Sequence, residues 1–374
     1  LIVFFIQRLF ELIRKDGFFA IITTNSIKDG DVRADGLDQI AARSCELIFV
    51  SSGVRWPGEA NLYVSLLAGR KGEWKGIREL DGRKVDHIST MFEDYRDIGT
   101  ASSLRANERR MFQGSIFLGD GFILSHEQAA SLTAEDPHSS EVVFPVINGQ
   151  ELNSSPSQEP GRKIINFLSW NEEKARKYKG AFQHLESTIF PEVNIKERPN
   201  WWQFWRPRPE LYASIRPLER CFAAARTTKY LSFSACPTGR VFTDACYVFA
   251  SGKWEDFAVI QSTIHEQWAR KYSGSLETRL RYSPTDCFQN FAFPARQWQQ
   301  ANPDLAAIGE RYHEHRSDLM LRLWLGLTDL YNLFHAPGLD ERLGKLFEKR
   351  AKMSDWAAEV PDEHRDIAGS LSLD

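Results

Sequence analysis

Apolar residues recur at helical spacing from the first position of the chain. Phe4, Phe5, Leu9, Leu12 and Ile13 share one face, and Lys15-Asp16-Gly17 supplies a basic last turn and a glycine stop. Phe18 to Thr23 follows as an unbroken apolar run, the kind buried on both faces of a parallel sheet, and Asn25-Ser26 opens the loop at its carboxyl end. Open α/β sheets bind ligands at such ends. A short helix is predicted over residues 34 to 43. Leu47 to Val50 and Leu62 to Leu67 are predicted strands around the loop Ser51 to Ala60. Together these elements read as half of a doubly wound sheet.

From about residue 80 the pattern becomes short and mixed, punctuated at Ser154-Ser155-Pro156-Ser157 and Arg206-Pro207-Arg208-Pro209. Ala223 to Tyr230 and Phe242 to Ala250 read as strands. From Pro303 onward, Leu319, Leu321, Leu323, Leu325, Leu327, Leu330, Leu333 and Phe334 predict two or three closing helices. The expected fold class is therefore α/β followed by α+β. Residues 1–80 would be the C-terminal strands of a Rossmann-like sheet, 81–298 a mixed α+β domain, and 299–374 a helical segment.

A length of 374 residues and a hydrophobic content of 42% are enough for more than one core. A net charge of -3 excludes a uniformly basic chain that coats nucleic acid, so any such surface must be local. The five cysteines are scattered without zinc spacing and read as reduced thiols of a cytoplasmic protein. Leu1 to Ile6 resembles an apolar signal core but has no basic region before it, and no later stretch has the 18 to 20 apolar residues of a membrane span.

Residues 196 to 229 carry eight basic side chains (Lys196, Arg198, Arg206, Arg208, Arg216, Arg220, Arg226 and Lys229) against three acidic ones. Trp201, Trp202, Phe204 and Trp205 interleave with them. This combination fits either phosphate-seeking charge with flat stacking surfaces, or a core stripe with solvated arginines. A second basic cluster, Arg270, Lys271, Arg279 and Arg281, brackets Tyr272-Ser273-Gly274-Ser275, where small residues permit close approach to a phosphate backbone. Arg226, Lys229 and Arg240 lie beside predicted strands, and Arg and Lys can read guanine in the major groove. Phe117-Leu118-Gly119-Asp120-Gly121 is a weak match to a cofactor loop and reads better as a turn. His313 and His315 lack metalloprotease spacing and a third ligand, so no metal is expected. Paired carboxylates such as Glu172 and Glu173 lie on charged faces, and no catalytic residue is assigned.

Several long stretches carry a resemblance. They are Gly17 to Ile27, Trp56-Pro57-Gly58-Glu59-Ala60, Phe144 to Asn153, Trp268 to Tyr272, Leu280 to Phe288, Phe291 to Pro294 and Gly326 to Phe334. In order, they resemble the later part of the MmeI-like single-chain Type II restriction and modification enzymes. That resemblance implies a fusion of nuclease, helical connector, adenine-N6 methyltransferase using S-adenosylmethionine, and target-recognition domain. The family's Asn-Pro-Pro-Tyr or Asn-Pro-Pro-Phe motif and its cofactor glycine loop do not occur in this chain. The chain is accordingly expected to be inactive alone, to bind no S-adenosylmethionine, and to need an N-terminal methyltransferase and nuclease part of the same polypeptide.

Methylating adenine in a duplex requires flipping the base out of the stack. By position in the resemblance, Trp56, with Pro57, would wall the flipped-base pocket. Double-stranded DNA is the implied partner, with Arg226, Lys229 and Arg240 as base readers and Arg206, Arg208, Arg270, Lys271, Arg279 and Arg281 as backbone contacts. Two other readings stay open: a noncatalytic DNA-binding or subunit-interaction module of a phage-defence complex, and a small methyltransferase of permuted order that uses Phe117 to Gly121.

Overall fold

The computed structural model describes residues 1–60, 62–95, 101–192, 194, 197–276, 279–352, 360–368 and 370. Along the chain, helix α1 (Ile2–Leu12) leads into strand β1 (Phe18–Thr24), helices α2 (Gly30–Asp35) and α3 (Leu37–Ala41), and strands β2 (Cys45–Arg55), β3 (Tyr63–Lys71), β4 (Arg78–Leu80) and β5 (Arg83–Val85). Then come β6 (Met111–Gln113), β7 (Ile123–Leu124), α4 (His126–Glu135), β8 (Val143–Ile147), α5 (Gly149–Ser154), β9 (Arg162–Ile165), α6 (Glu172–Ala175), α7 (Lys179–Thr188) and α8 (Pro209–Ile215). Strands β10 (Arg220–Ala225), β11 (Thr227–Thr228), β12 (Ser234–Pro237), β13 (Val241–Phe242) and β14 (Cys246–Phe249) precede α9 (Trp254–Ile260) and α10 (Thr263–Tyr272). The hairpin β15 (Gly274–Leu276) and β16 (Arg279–Arg281) and helices α11 (Pro303–Leu323), α12 (Leu327–Phe334) and α13 (Leu339–Lys352) follow.

By packing, the chain forms two compact units: residues 1–107 with 264–292, and residues 108–263 with 293–374. Both are assembled from separated stretches, unlike the contiguous segments 1–80, 81–298 and 299–374 drawn from texture. Residues 264–292 pack with the N-terminal elements. The closing helices join the second unit, where α11 lies on α9 and α12 on α5.

In the first unit five strands are ordered β1-β3-β2-β4-β5. β3 runs antiparallel to both β1 and β2, so β1 and β2 run parallel to one another with β3 between them. This corrects the reading of Phe18 to Thr23 as a strand buried on both faces among parallel neighbours. β1 is an edge strand, and Phe18 and Ile22 of its outer face are 54% and 60% exposed while Phe19 and Thr23 turn inward. An apolar run does not distinguish a two-sided central strand from an edge strand whose second face is bare. The predicted helix over 34 to 43 is also split, at Gly36, into α2 and α3. Ile6, Phe10, Phe19, Leu37, Ile40, Val50 and Leu67 fill this core.

The second unit holds two four-stranded sheets, β12-β10-β14-β6 and β13-β8-β9-β7. The expected strand Ala223 to Tyr230 breaks at Arg226, whose amide donates to Ala245 O at 2.8 Å, and Phe242 to Ala250 breaks between β13 and β14. Asn148 caps α5 with a reciprocal bond to Glu151, and Ser125 caps α4 in the same way with Gln128. Among the described residues, no helix is long and apolar enough to cross a membrane.

Candidate nucleic-acid interface

In the first unit, β15 and β16 pair with Gly274 opposite Arg281 and Leu276 opposite Arg279. Side chains alternate along a strand, so Leu280 is buried while Arg279 and Arg281 lie together on the exposed face. Asp29 anchors the hairpin by accepting from Ser275 N and Ser275 Oγ, both at 2.9 Å. Burial pushes the Asp29 carboxyl above its ordinary range, and these two bonds oppose that shift. Arg270 is bonded to Glu266 one turn back, at 2.6 Å. Lys271 sits 3.3 Å from Glu93 and bonds the Tyr95 hydroxyl. Burial works against its charge, but those two partners prevail and hold its ammonium above the usual lysine range. All four cations of this cluster are thus held on one compact unit.

Trp56 also belongs to the first unit. Its backbone amide donates to Leu62 O at 2.9 Å, closing the loop between β2 and β3, and its ring is 38% exposed beside the exposed Pro57. It lines an apolar groove of about 720 Å³ with Phe5, Leu9, Ile22 and Val64. At the end of β1, Asn25 Oδ1 accepts from Gly53 N at 3.1 Å and from Ser65 Oγ at 2.8 Å. The Asn-Ser pair after the strand marked this loop in the sequence, although the role of Asn25 as a tie between three segments needed the fold.

The second unit treats its basic and aromatic stretch differently. Trp201, Trp202 and Phe204 are buried, and Phe182 meets Trp201 edge-on with centroids 5.4 Å apart. Trp202 Nε1 donates to Trp170 O at 3.0 Å. The core-stripe reading holds for these three rings. Trp205, at 52% exposure, is the ring that faces solvent. Arg198 donates to Leu118 O and Gln203 O, at 3.1 and 3.0 Å, and burial lowers its affinity for a proton. Lys196 lies outside the described residues. Arg208 donates to Gln113 Oε1 at 2.9 Å, whereas the Arg206 side chain is exposed.

The three candidate base readers also separate. Lys229 is exposed and reaches Asn332 Oδ1 at 2.5 Å, while Tyr230 stacks on His335 at 4.8 Å. Arg226 is partly exposed, 3.5 Å from Asp244 Oδ2. Arg240 is only 6% exposed, donates to Gln158 O at 3.3 Å and lies 3.6 Å from Glu159. Its position beside a strand suggested a reader, but β13 carries it inward, so the assignment as a base reader is corrected. Asn332 and His335 had no signal in the sequence beyond the helical spacing of their neighbours.

The remaining candidates have structural surroundings. A Cβ at Gly121 would come within 2.3 Å of Thr188 Oγ1, and His184 Nε2 lies 3.0 Å from Gly121 O, so the turn after Phe117 is filled by α7. His313 packs on Trp254 and Phe257, and burial, with Arg316 and Arg220 nearby, pushes it down to about 4. Among the described residues no three His, Cys, Asp or Glu side chains form a group that could hold a metal.

Residues 206–295 match the family model described as MmeI, target recognition domain. The fold resembles that of the Type IIL restriction-modification enzyme MmeI, solved in complex with DNA, with a TM-score of 0.67 and 17% identity over 98% of this chain and 51% of that one. The type IIG restriction endonuclease BpuSI aligns over 86% of this chain and 46% of its own, at 12% identity and a TM-score of 0.34, too low to support an argument. The chain thus spans about half the length of these structures. No curated protein matches it. The resemblance to MmeI-like enzymes is thereby borne out: residues 206–295 are similar to the MmeI target recognition domain, and the chain has the fold of about half of MmeI.

Proposed function

We propose that this chain is the DNA-recognising portion of a site-specific adenine-N6 DNA methyltransferase within a restriction and modification polypeptide. The observation that carries this reading is the target-recognition match over residues 206–295, joined to a fold shared with a DNA-bound relative. In this reading Lys229 and Arg226 read base edges, while Arg279 and Arg281, with Arg270, Lys271, Arg206 and Arg208, set the register on phosphates. The order β1-β3-β2, two mutually parallel strands around an antiparallel one, supports the last strands of a Rossmann-like methyltransferase sheet. The apolar groove beside β1 then borders the rest of that sheet, and Trp56 and Pro57 border the pocket for the flipped adenine.

S-adenosylmethionine supplies the methyl group in the full-length protein. Among the described residues, the one small-residue turn considered for it, Phe117 to Gly121, is filled by Thr188 and Ile189 and does not fit it. Methyl transfer is accordingly assigned to segments of the polypeptide beyond this chain, and the chain by itself is expected to bind DNA without modifying it.

The test is to present the chain with a randomised duplex pool at two salt concentrations and sequence what it retains. Enrichment of one short asymmetric motif supports the reading. Salt-sensitive retention without enrichment would assign sequence reading to a larger assembly. Absence of retention would favour a subunit-interaction module, whose partner would meet the bare apolar face of α1 and β1, where Phe4, Phe5 and Ile22 are exposed.

A further inference from the structure

The inward turn of Arg240 gives it a second set of neighbours. With Arg216, Asn166, Phe144, Leu168 and Gly239 it lines a cavity of about 280 Å³ inside the second unit. That is just below the range of about 300–1,000 Å³ typical of small-molecule sites, so it admits one small ligand and excludes a helix or a duplex.

Its lining mixes apolar and cationic side chains. Phe144, Leu168 and Val241 give it apolar lining. Arg216 and Arg240 also line it. Arg216 is exposed at the end of α8, and Arg240 is held by Gln158 O and faced by the carboxylate of Glu159. That single carboxylate leaves a net positive charge. Asn166, 3% exposed, lines it too, and its Oδ1 accepts from Leu168 N at 2.8 Å. The bond to Leu168 holds that residue at φ 55°, a left-handed conformation that a leucine rarely adopts. Strain of this sort persists only where the surroundings over-determine it, and it concentrates at binding sites. Guanidinium forks match phosphate oxygens, a buried amide donor matches a ring acceptor, and the apolar wall matches a flat ring.

We propose that this cavity is a subsite for a single nucleotide, with its ring against Phe144 and Leu168 beside Asn166 Nδ2 and its phosphate facing Arg216 and Arg240. The nucleotide is either a free monophosphate or one unstacked from a nucleic acid; the recognising chemistry is the same. The assignment does not depend on sequence-specific duplex recognition, since it stands on the cavity alone.

The experiment is equilibrium dialysis of the whole chain against the four deoxynucleoside 5′-monophosphates, the matching nucleosides, and inorganic phosphate. At least one monophosphate is expected to bind saturably at concentrations up to about 1 mM, more tightly than its nucleoside or phosphate alone. Arg216→Glu should weaken it by about tenfold or more, the usual size of a charge-assisted phosphate contact. Gly239→Leu should block it without unfolding the chain, because a Cβ there meets nothing within 4 Å. Displacement of the bound monophosphate by a duplex with one unpaired nucleotide, and not by a fully paired one, would identify nucleic acid as the source; no displacement by either would identify the free nucleotide. Absence of saturable binding by all four monophosphates, or binding that ignores both substitutions, would overturn the proposal whether or not the chain still selects a duplex sequence.

Discussion

In the hairpin Gly274–Arg281, arginines 279 and 281 stand on the open face while Leu280 turns inward. In the stretch from Arg198 to Arg226, the tryptophans at 201 and 202 turn inward and several guanidiniums are bonded to protein: Arg198 to two carbonyls, Arg208 to Gln113 and Arg226 facing Asp244. Both regions combine cations with aromatic or apolar residues at similar density. The difference lies in what each backbone does. A β-strand has period two and sorts its side chains onto two faces, whereas an irregular stretch laid across a core inserts its largest rings wherever apolar volume must be filled. Composition therefore identified a basic region in each case; the hairpin gathers its two arginines on one face, whereas in the other stretch Arg206 and Arg216 are exposed and Arg198, Arg208 and Arg226 are tied to protein groups.

The largest effect is expected from removing a buried ring. Trp201→Ala should destabilise the second unit by about 3–5 kcal/mol, the cost of emptying a large aromatic site in a packed core. Urea denaturation measures it; a change below about 1 kcal/mol would mean that the ring is a surface platform after all.

A second test uses a buried histidine from each unit. His265 is pushed by burial down to about 3, and His313 down to about 4. Below the ordinary histidine value of about 6.5 the unfolded chain takes up protons that the folded chain refuses. Their contribution to stability is thus full above pH 6.5, falls as the pH drops towards 4 for His313 and towards 3 for His265, and then levels off. His313→Phe should flatten the decline between pH 6.5 and 4 relative to the parent chain. If the two pH profiles ran parallel, the histidine would be protonated in the fold and its packing against Trp254 misjudged.

Within the recognition surface, Arg226→Ala or Lys229→Ala should relax one base-pair position by about 1–3 kcal/mol and leave overall folding intact. Arg240→Met should do the reverse, lowering the unfolding midpoint without changing which motif is enriched, since its guanidinium is bonded within the protein. A selected motif altered by Arg240→Met alone would restore it as a reader. The smallest effect belongs to the hairpin. Replacing Arg279 and Arg281 by serine should leave stability nearly unchanged and reduce the slope of log affinity against log salt by about 0.9 for each phosphate no longer neutralised. An unchanged slope would remove these two residues from the interface.

Much of the local architecture was legible in the chain. Helical spacing located α1 and the closing helices, the apolar runs located β1, β2 and β3, and the motif stretches led to the MmeI resemblance that the match over residues 206–295 bears out. The partners of β1 were not legible, because the same run Phe18 to Thr23 suits a strand covered on two faces or an edge strand with one face bare. The burial of Arg240 was hidden for a related reason: its neighbours in sequence mark a strand edge, and its depth depends on β8, which lies far away in the chain. The cavity around it joins Phe144, Asn166, Arg216 and Gly239, four positions with no common spacing.

Periodicity is the property that the order of residues settles alone, since residues that share a face within one element are set by the geometry of that element. Which face meets a core, which cations are bonded internally, and which distant residues close a cavity were settled when the elements packed. These depend on apolar volume being filled and buried polar groups being paired, both conditions on the whole fold and not on any segment of it.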